Sequence, residues 1–147
     1  MSEASGSDRS VYWRILHEIC KLPSHWKTTN VKNSTYLKGR IGWQGLKAAE
    51  FTKVGPYLIT GTDLASGRVC WDKCYHVTST RFMEAPSIHL RNGDVLITKD
   101  GTIGKVAFVD KCPEKAILNS GIFILRCSDY SYLNKFLYHI LTSIFFE

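Results

Sequence analysis

The residues whose types come nearest to a known chemistry lie in "LITKDGTIGKVAFV", Leu96–Val109, where "GTIGK" sets Lys105 straight after Gly104. A lysine in that place, within a glycine-rich loop, is how a phosphate-binding loop grips a nucleotide. Such a loop needs Gly, four residues, Gly, Lys and then Ser or Thr. Here Lys99 stands where the first glycine belongs, and Val106 replaces the magnesium-binding hydroxyl. The flanks disagree as well. A phosphate loop opens a helix, whereas Lys105-Val106-Ala107-Phe108-Val109 is rich in β-branched and aromatic residues that suit a strand. Asp94–Thr98 reads as a strand on the near side, and Asp100-Gly101 as the turn signal between the two. The segment predicts a β-hairpin and excludes a nucleotide loop.

Other chemistries fare no better. "CWDKCYH" offers Cys70, Cys74 and His76, with Cys112 as a distant fourth ligand, but a structural zinc site shows two tight pairs and this is one loose pair. Free thiols and no metal are expected. None of the 13 acidic residues stands two positions before a lysine, as the common metal-dependent nucleases require. There is neither an Asn-Pro-Pro-aromatic nor a Pro-Cys methyltransferase motif; Cys112-Pro113 runs in the reverse order. Composition leaves Ser-His-Asp catalysis open, yet no Gly-x-Ser-x-Gly elbow supports it. The five histidines are scattered and read as surface or packing residues rather than general bases. The weight falls on a binding module, with no cofactor.

Charge points to what is bound. The chain carries 19 Lys and Arg against 13 Asp and Glu, a formal net charge of +6. Between Trp26 and Val54 stand Lys27, Lys32, Lys38, Arg40, Lys47 and Lys53, opposed only by Glu50. Such a local excess favours a polyanion; from charge alone, a solvated basic face explains it equally well. Five cysteines, odd in number and sparse, fit a reducing cytoplasm. Apolar runs are too short for a bilayer and no membrane partner is expected.

The elements that must position these residues are short. Residues 1–9 read as a soft polar leader, 10–21 as an amphipathic helix broken at Pro23, and 22–128 as a recognition core. Within the core, "WKTTNV" is strand-like, Gln44–Phe51 a short helix, "YLITGTDL" and "GRVCW" strands, and Thr78–Ala85 a helical turn or two stopped by Pro86. "AILNSGIFILRC" reads as one strand with a polar interruption at Asn119 and Ser120. A helix over 130–146 carries Leu133, Phe136, Leu137, Ile140, Leu141 and Ile144 on one face, with Asp129 or Ser131 as its cap. That stripe packs on its own sheet or meets another subunit. The whole predicts a single α+β domain, residues 10–147, built on a twisted mixed β-sheet with short flanking helices.

"LPSHW", "KGRIGWQGLKAAEF", "GPYLITGTDL", "LRNGDVLITKDGTIGKVAFV", "ILNSGIFILR" and "YLNKFLYHILTS" occur in that order over Leu22–Ser143. This ordered set resembles a target recognition domain of the specificity subunit of type I restriction-modification enzymes. The resemblance implies a DNA methylase specificity domain-like fold and sequence-specific binding of double-stranded DNA without catalytic residues. It also implies partners: adenine methyltransferase (modification) subunits and a motor/nuclease subunit. A complete specificity subunit has two recognition domains joined by long helices. This chain stops after "LTSIFFE", so it is expected to be half a subunit, an isolated domain or a truncated product, with a second half-subunit as a further partner. Alternatives are the same module from a fused single-chain restriction enzyme or methyltransferase, a hydrolase without familiar motifs, and a protein-interaction fragment.

With that resemblance, the DNA candidates take positions. Lys38, Arg40 and Lys47 offer phosphate or guanine contacts, and Gln44 has the amide geometry to read adenine. Trp43 packs either on sugars or in the core. Lys99, Thr102 and Lys105 reach phosphate from the hairpin tip or are solvated turn residues. Thr60, Thr62 and Asp63 end a strand on the same surface, Asp63 alternatively capping its turn. Asp94 reads as a turn residue.

Overall fold

The computed structural model describes Glu18, 21–41 and 45–144. The predicted leader, the predicted first helix apart from its helical Glu18 and final Lys21, Trp43, Gln44 and the last residues of the predicted C-terminal helix lie outside these. The chain divides into two compact units, 1–30 and 31–147. In the first, Lys21–Pro23 form no regular structure and the Trp26 amide closes a turn on the Pro23 carbonyl at 3.0 Å. Trp26–Asn30 forms no strand, and Val31–Ser34 is a helical turn, α1.

The second unit contains β1 (Thr35–Gly39), β2 (Thr52–Ile59), β3 (Leu64–Ala65), β4 (Arg68–Val69), β5 (Tyr75–His76), α2 (Ser79–Met83), β6 (Val95–Thr98), β7 (Val106–Phe108), β8 (Ala116–Leu118), β9 (Ile122–Cys127) and α3 (Asn134–Leu141). It is an α+β fold of mixed β-structure with few short helices. The strands form three sheets. A four-stranded antiparallel sheet runs β1-β9-β6-β7; a three-stranded mixed sheet runs β5-β2-β8, with β2 parallel to β8; β3 and β4 form a hairpin. Ser66 and Gly67 turn that hairpin with φ of 50° and 74°, the pair of positive values that a two-residue loop demands.

The run expected as a single strand over 116–127 is two strands in different sheets. At Asn119–Gly121 the chain leaves the mixed sheet and enters the antiparallel one. The Asn119 amide still bonds Ile59 of β2 at 2.9 Å, and the Ile122 amide turns back on Ser120 at 2.7 Å. The polar interruption is therefore a corner. Leu58, Ile59, Ile117 and Leu118 from one sheet and Leu96, Ile122 and Ile124 from the other are all fully buried in one core. Each such side chain contributes roughly 1.5–3 kcal/mol relative to exposure.

Among the described residues of the helix predicted over 44–51, only Ala48–Glu50 is helical, as a 3-10 turn. α3 is shorter than predicted and lacks the predicted cap. Asp129 instead accepts from the Ser131 amide at 3.0 Å, closing a turn upstream. The helix start is fixed by Asn134, whose amide group accepts from Cys127 N at 2.6 Å and donates to the Gly93 carbonyl at 2.8 Å. Of its stripe, Leu137 and Leu141 are half-buried, whereas Leu133, Phe136, Ile140 and Ile144 are exposed. Asp94 is a turn residue as read: it accepts from Arg91 N at 2.8 Å and from Arg126 Nε at 2.6 Å.

Candidate nucleic-acid interface

The strand directions decide which loops meet. Register pairs Gly39, the last residue of β1, with Phe123 near the start of β9. Thr98, the last of β6, pairs with Ile122, and Ile97 with Val106 at the start of β7. In the mixed sheet the last residues of β2 and β8, Ile59 and Leu118, lie side by side. The segments that follow Gly39, Ile59, Thr98 and Leu118 therefore leave from one end of the paired sheets.

The hairpin tip is built around Thr98, 2% exposed. Its hydroxyl donates to the Thr102 carbonyl and accepts from Lys105 N at 2.9 Å, while Gly104 N donates to the Thr98 carbonyl at 3.0 Å. Lys99 N donates to Gly121 O at 2.8 Å, fastening the tip to the corner between sheets. Gly101 and Gly104 hold φ of 68° and 86°, and a Cβ on either would meet nothing within 4 Å. Backbone conformation alone demands these glycines, not crowding.

The neighbouring turn joins this tip. Lys105 Nζ donates to the Gly61 carbonyl at 3.4 Å. Asp63, 3% exposed, accepts from Thr60 N at 2.7 Å and from its hydroxyl at 2.8 Å, so it caps the turn. Thr62 stays exposed, its hydroxyl 2.8 Å from that of Thr60. Thr62, Thr102 and Lys105 are thus brought together, with Lys99 half-buried beside them and its ammonium 4.9 Å from the Phe123 ring.

The loop after β1 divides its residues. Lys38 is exposed, its ammonium 5.8 Å from the Tyr36 ring, and Lys47 is exposed beside the 48–50 turn. Arg40 is not a surface cation. It is 5% exposed and its Nε donates to the Leu118 carbonyl at 3.0 Å, tying the end of β1 to the end of β8. Burial, and next the Arg81 charge, lower its pKa. The expected DNA contact through Arg40 is corrected to a structural role: it holds the corner from which the loops emerge. Glu50, the lone acid of this stretch, accepts from Lys47 N and pairs with Arg81. The Lys47 bond, then the Arg81 bond, lower its pKa. Trp43 and Gln44 lie outside the described residues.

Two features of this end escaped sequence reasoning. Gly39 lies under the Phe123 ring, where a Cβ would come within 2.7 Å of Cδ1, so this glycine admits the ring that Lys99 covers. The glycine spacing was visible, but its partner 84 residues away was not. Ile103, at the hairpin tip, is 74% exposed. Elsewhere, burial pushes the Cys74 thiol up to about 12 and Cys112 to about 11, the opposite of an activated nucleophile. Among the described residues no three His, Cys, Asp or Glu gather as a metal site. No described helix is long and apolar enough to cross a membrane.

Over residues 15–146 the sequence matches the family described as the type I restriction modification DNA specificity domain. Two solved structures share its fold. One, from work on complex assembly and conformational transition of the type I R-M system, superposes with a TM-score of 0.63 at 15% identity, over 92% of this chain and 34% of that one. The other, the HsdS subunit from Thermoanaerobacter tengcongensis, gives 0.60 at 16% identity, over 92% and 33%. The chain spans about a third of the length of either. No curated protein matches the sequence.

Proposed function

The chain belongs to the family of type I restriction modification DNA specificity domains, and from that premise we propose that residues 10–147 act as one target recognition domain whose loop-bearing end reads a short stretch of duplex. The observation that carries this is the meeting of the 99–105 hairpin with the 60–63 turn. It groups Lys99, Lys105, Thr62 and Thr102 on the end where Lys38 also lies, near the last residue of β1. Lysines there position the phosphate backbone, and threonine hydroxyls and the 40–47 loop supply groove contacts. Gln44 and Trp43 take the roles of adenine reader and sugar contact.

In this reading the domain does no chemistry. Adenine methyltransferase subunits and a motor/nuclease subunit act at the site it selects, a second half-subunit reads the other half, and the setting is the cytoplasm. Burial raises the Cys74 and Cys112 thiols, so neither is an activated nucleophile. The test is selection from a random duplex pool with the purified chain. Enrichment of one short motif is expected, without cutting or methylation when magnesium, ATP and S-adenosylmethionine are supplied. Absence of enrichment, or turnover that persists at homogeneity, would contradict the reading.

A further inference from the structure

Exposed apolar side chains stand at several places on the surface, but their settings differ. Val54 lies near the start of β2 and Leu133 beyond the end of β9, both away from the loop-bearing end. Ile103, 74% exposed, occupies the hairpin tip between Gly101 and Gly104, with open space where either glycine would carry a Cβ. It is also held stiffly. Thr98 bonds both flanks of the tip, and Lys105 ties it to Gly61. A β-branched side chain adds little freedom of its own at χ1. A stiff apolar point on a cationic surface meets two requirements for deforming DNA. The flanking lysines displace phosphate counterions, and the apolar group unstacks a base step where a polar or floppy one would not.

We propose that Ile103 is a wedge that enters the duplex at one base step and unstacks it. The inference rests on the duplex-binding reading and extends it: recognition includes deformation of the DNA, so the ease of opening one step contributes to which sequences are chosen. Lys99 and Lys105 hold the strand on either side of the point. Isoleucine in this position serves DNA contact rather than folding, since its side chain takes no part in the core.

The experiment walks 2-aminopurine, whose fluorescence is quenched by stacking, through a duplex selected by the full 147-residue chain. Binding should raise fluorescence several-fold at one step only. With Ile103→Ala, or Ile103→Thr, which keeps the branch, the signal should return to that of free duplex while the melting temperature and salt slope hold. Ile103→Val, which keeps both the branch and the apolar character, should retain it. Salt-dependent binding without a bright step, or a bright step that survives Ile103→Ala, would overturn the wedge alone. A chain that retains no duplex even at low salt would overturn the binding reading and the wedge with it.

Discussion

In "KGRIG", the arginine after Gly39 turns into the protein and bonds the Leu118 carbonyl, while in "KDGTIGK" Lys105 stays at the surface and its ammonium rests on the neighbouring Gly61 turn. The two segments resemble each other as sequence: both are basic, both spaced by glycine, both at the same end of the sheets. Their difference is one of neighbours. β1 is an edge strand whose end abuts the junction of two sheets, so its next side chain fills that junction. The β6–β7 hairpin projects beyond its sheet with nothing around its glycines. Local charge therefore stays at the surface where the strand ends run free and is drawn inside where they abut a second sheet.

The comparison breaks first at Arg40. Arg40→Ala should cost about 2–3 kcal/mol, through loss of a buried charge-assisted hydrogen bond and its packing, with the salt slope of DNA binding unchanged in the folded fraction. Melts and binding isotherms read the two separately. A stable variant with a shallower slope would place Arg40 on DNA after all. Gly101→Val comes next, at roughly 1–3 kcal/mol, because a β-branched residue must adopt a φ of 68°. Since a Cβ there meets nothing, Gly101→Asn, which tolerates positive φ, should recover most of that stability.

A smaller effect lies in the core beside the 60–63 turn. Burial first, and the Asp63 carboxylate next, raise the Cys74 pKa from 9.0 to about 12. Between those values the folded thiol keeps a proton that the unfolded chain releases, so stability is full below pH 9 and declines as pH rises. By pH 10 the loss should be about 1 kcal/mol, and Cys74→Ala should flatten that part of the profile. Smallest is Lys105→Ala. Loss of one half-exposed ammonium should change stability by no more than about 0.5 kcal/mol, yet weaken all duplexes alike and lower the salt slope by about one.

What was legible in the sequence follows the same division. The hairpin was readable because β-branched and aromatic composition and Asp-Gly act within a dozen residues. Its glycines, Asp94 as a turn residue and the α+β class rest on equally local signals. The split of 116–127 between two sheets was not readable, since Ile59, some 60 residues earlier, decides it. Arg40 was misread for the same reason: the carbonyl that captures it lies 78 residues away. The cap of α3 failed because Asn134 finds its partners at Cys127 and Gly93, outside the helix. Lys38, Lys99 and Lys105 were each visible as cations, but that these three share one end came only from strand direction.

The most direct test of that shared end is the salt dependence of duplex binding by the unmodified chain and by a variant with Lys38, Lys99 and Lys105 all changed to alanine. Each phosphate contact contributes about 0.9 to the slope of log affinity against log salt. A slope lower by about 2–3 is expected in the variant, at a melting temperature close to the original. Equal slopes in the two proteins, with both folded, would contradict it.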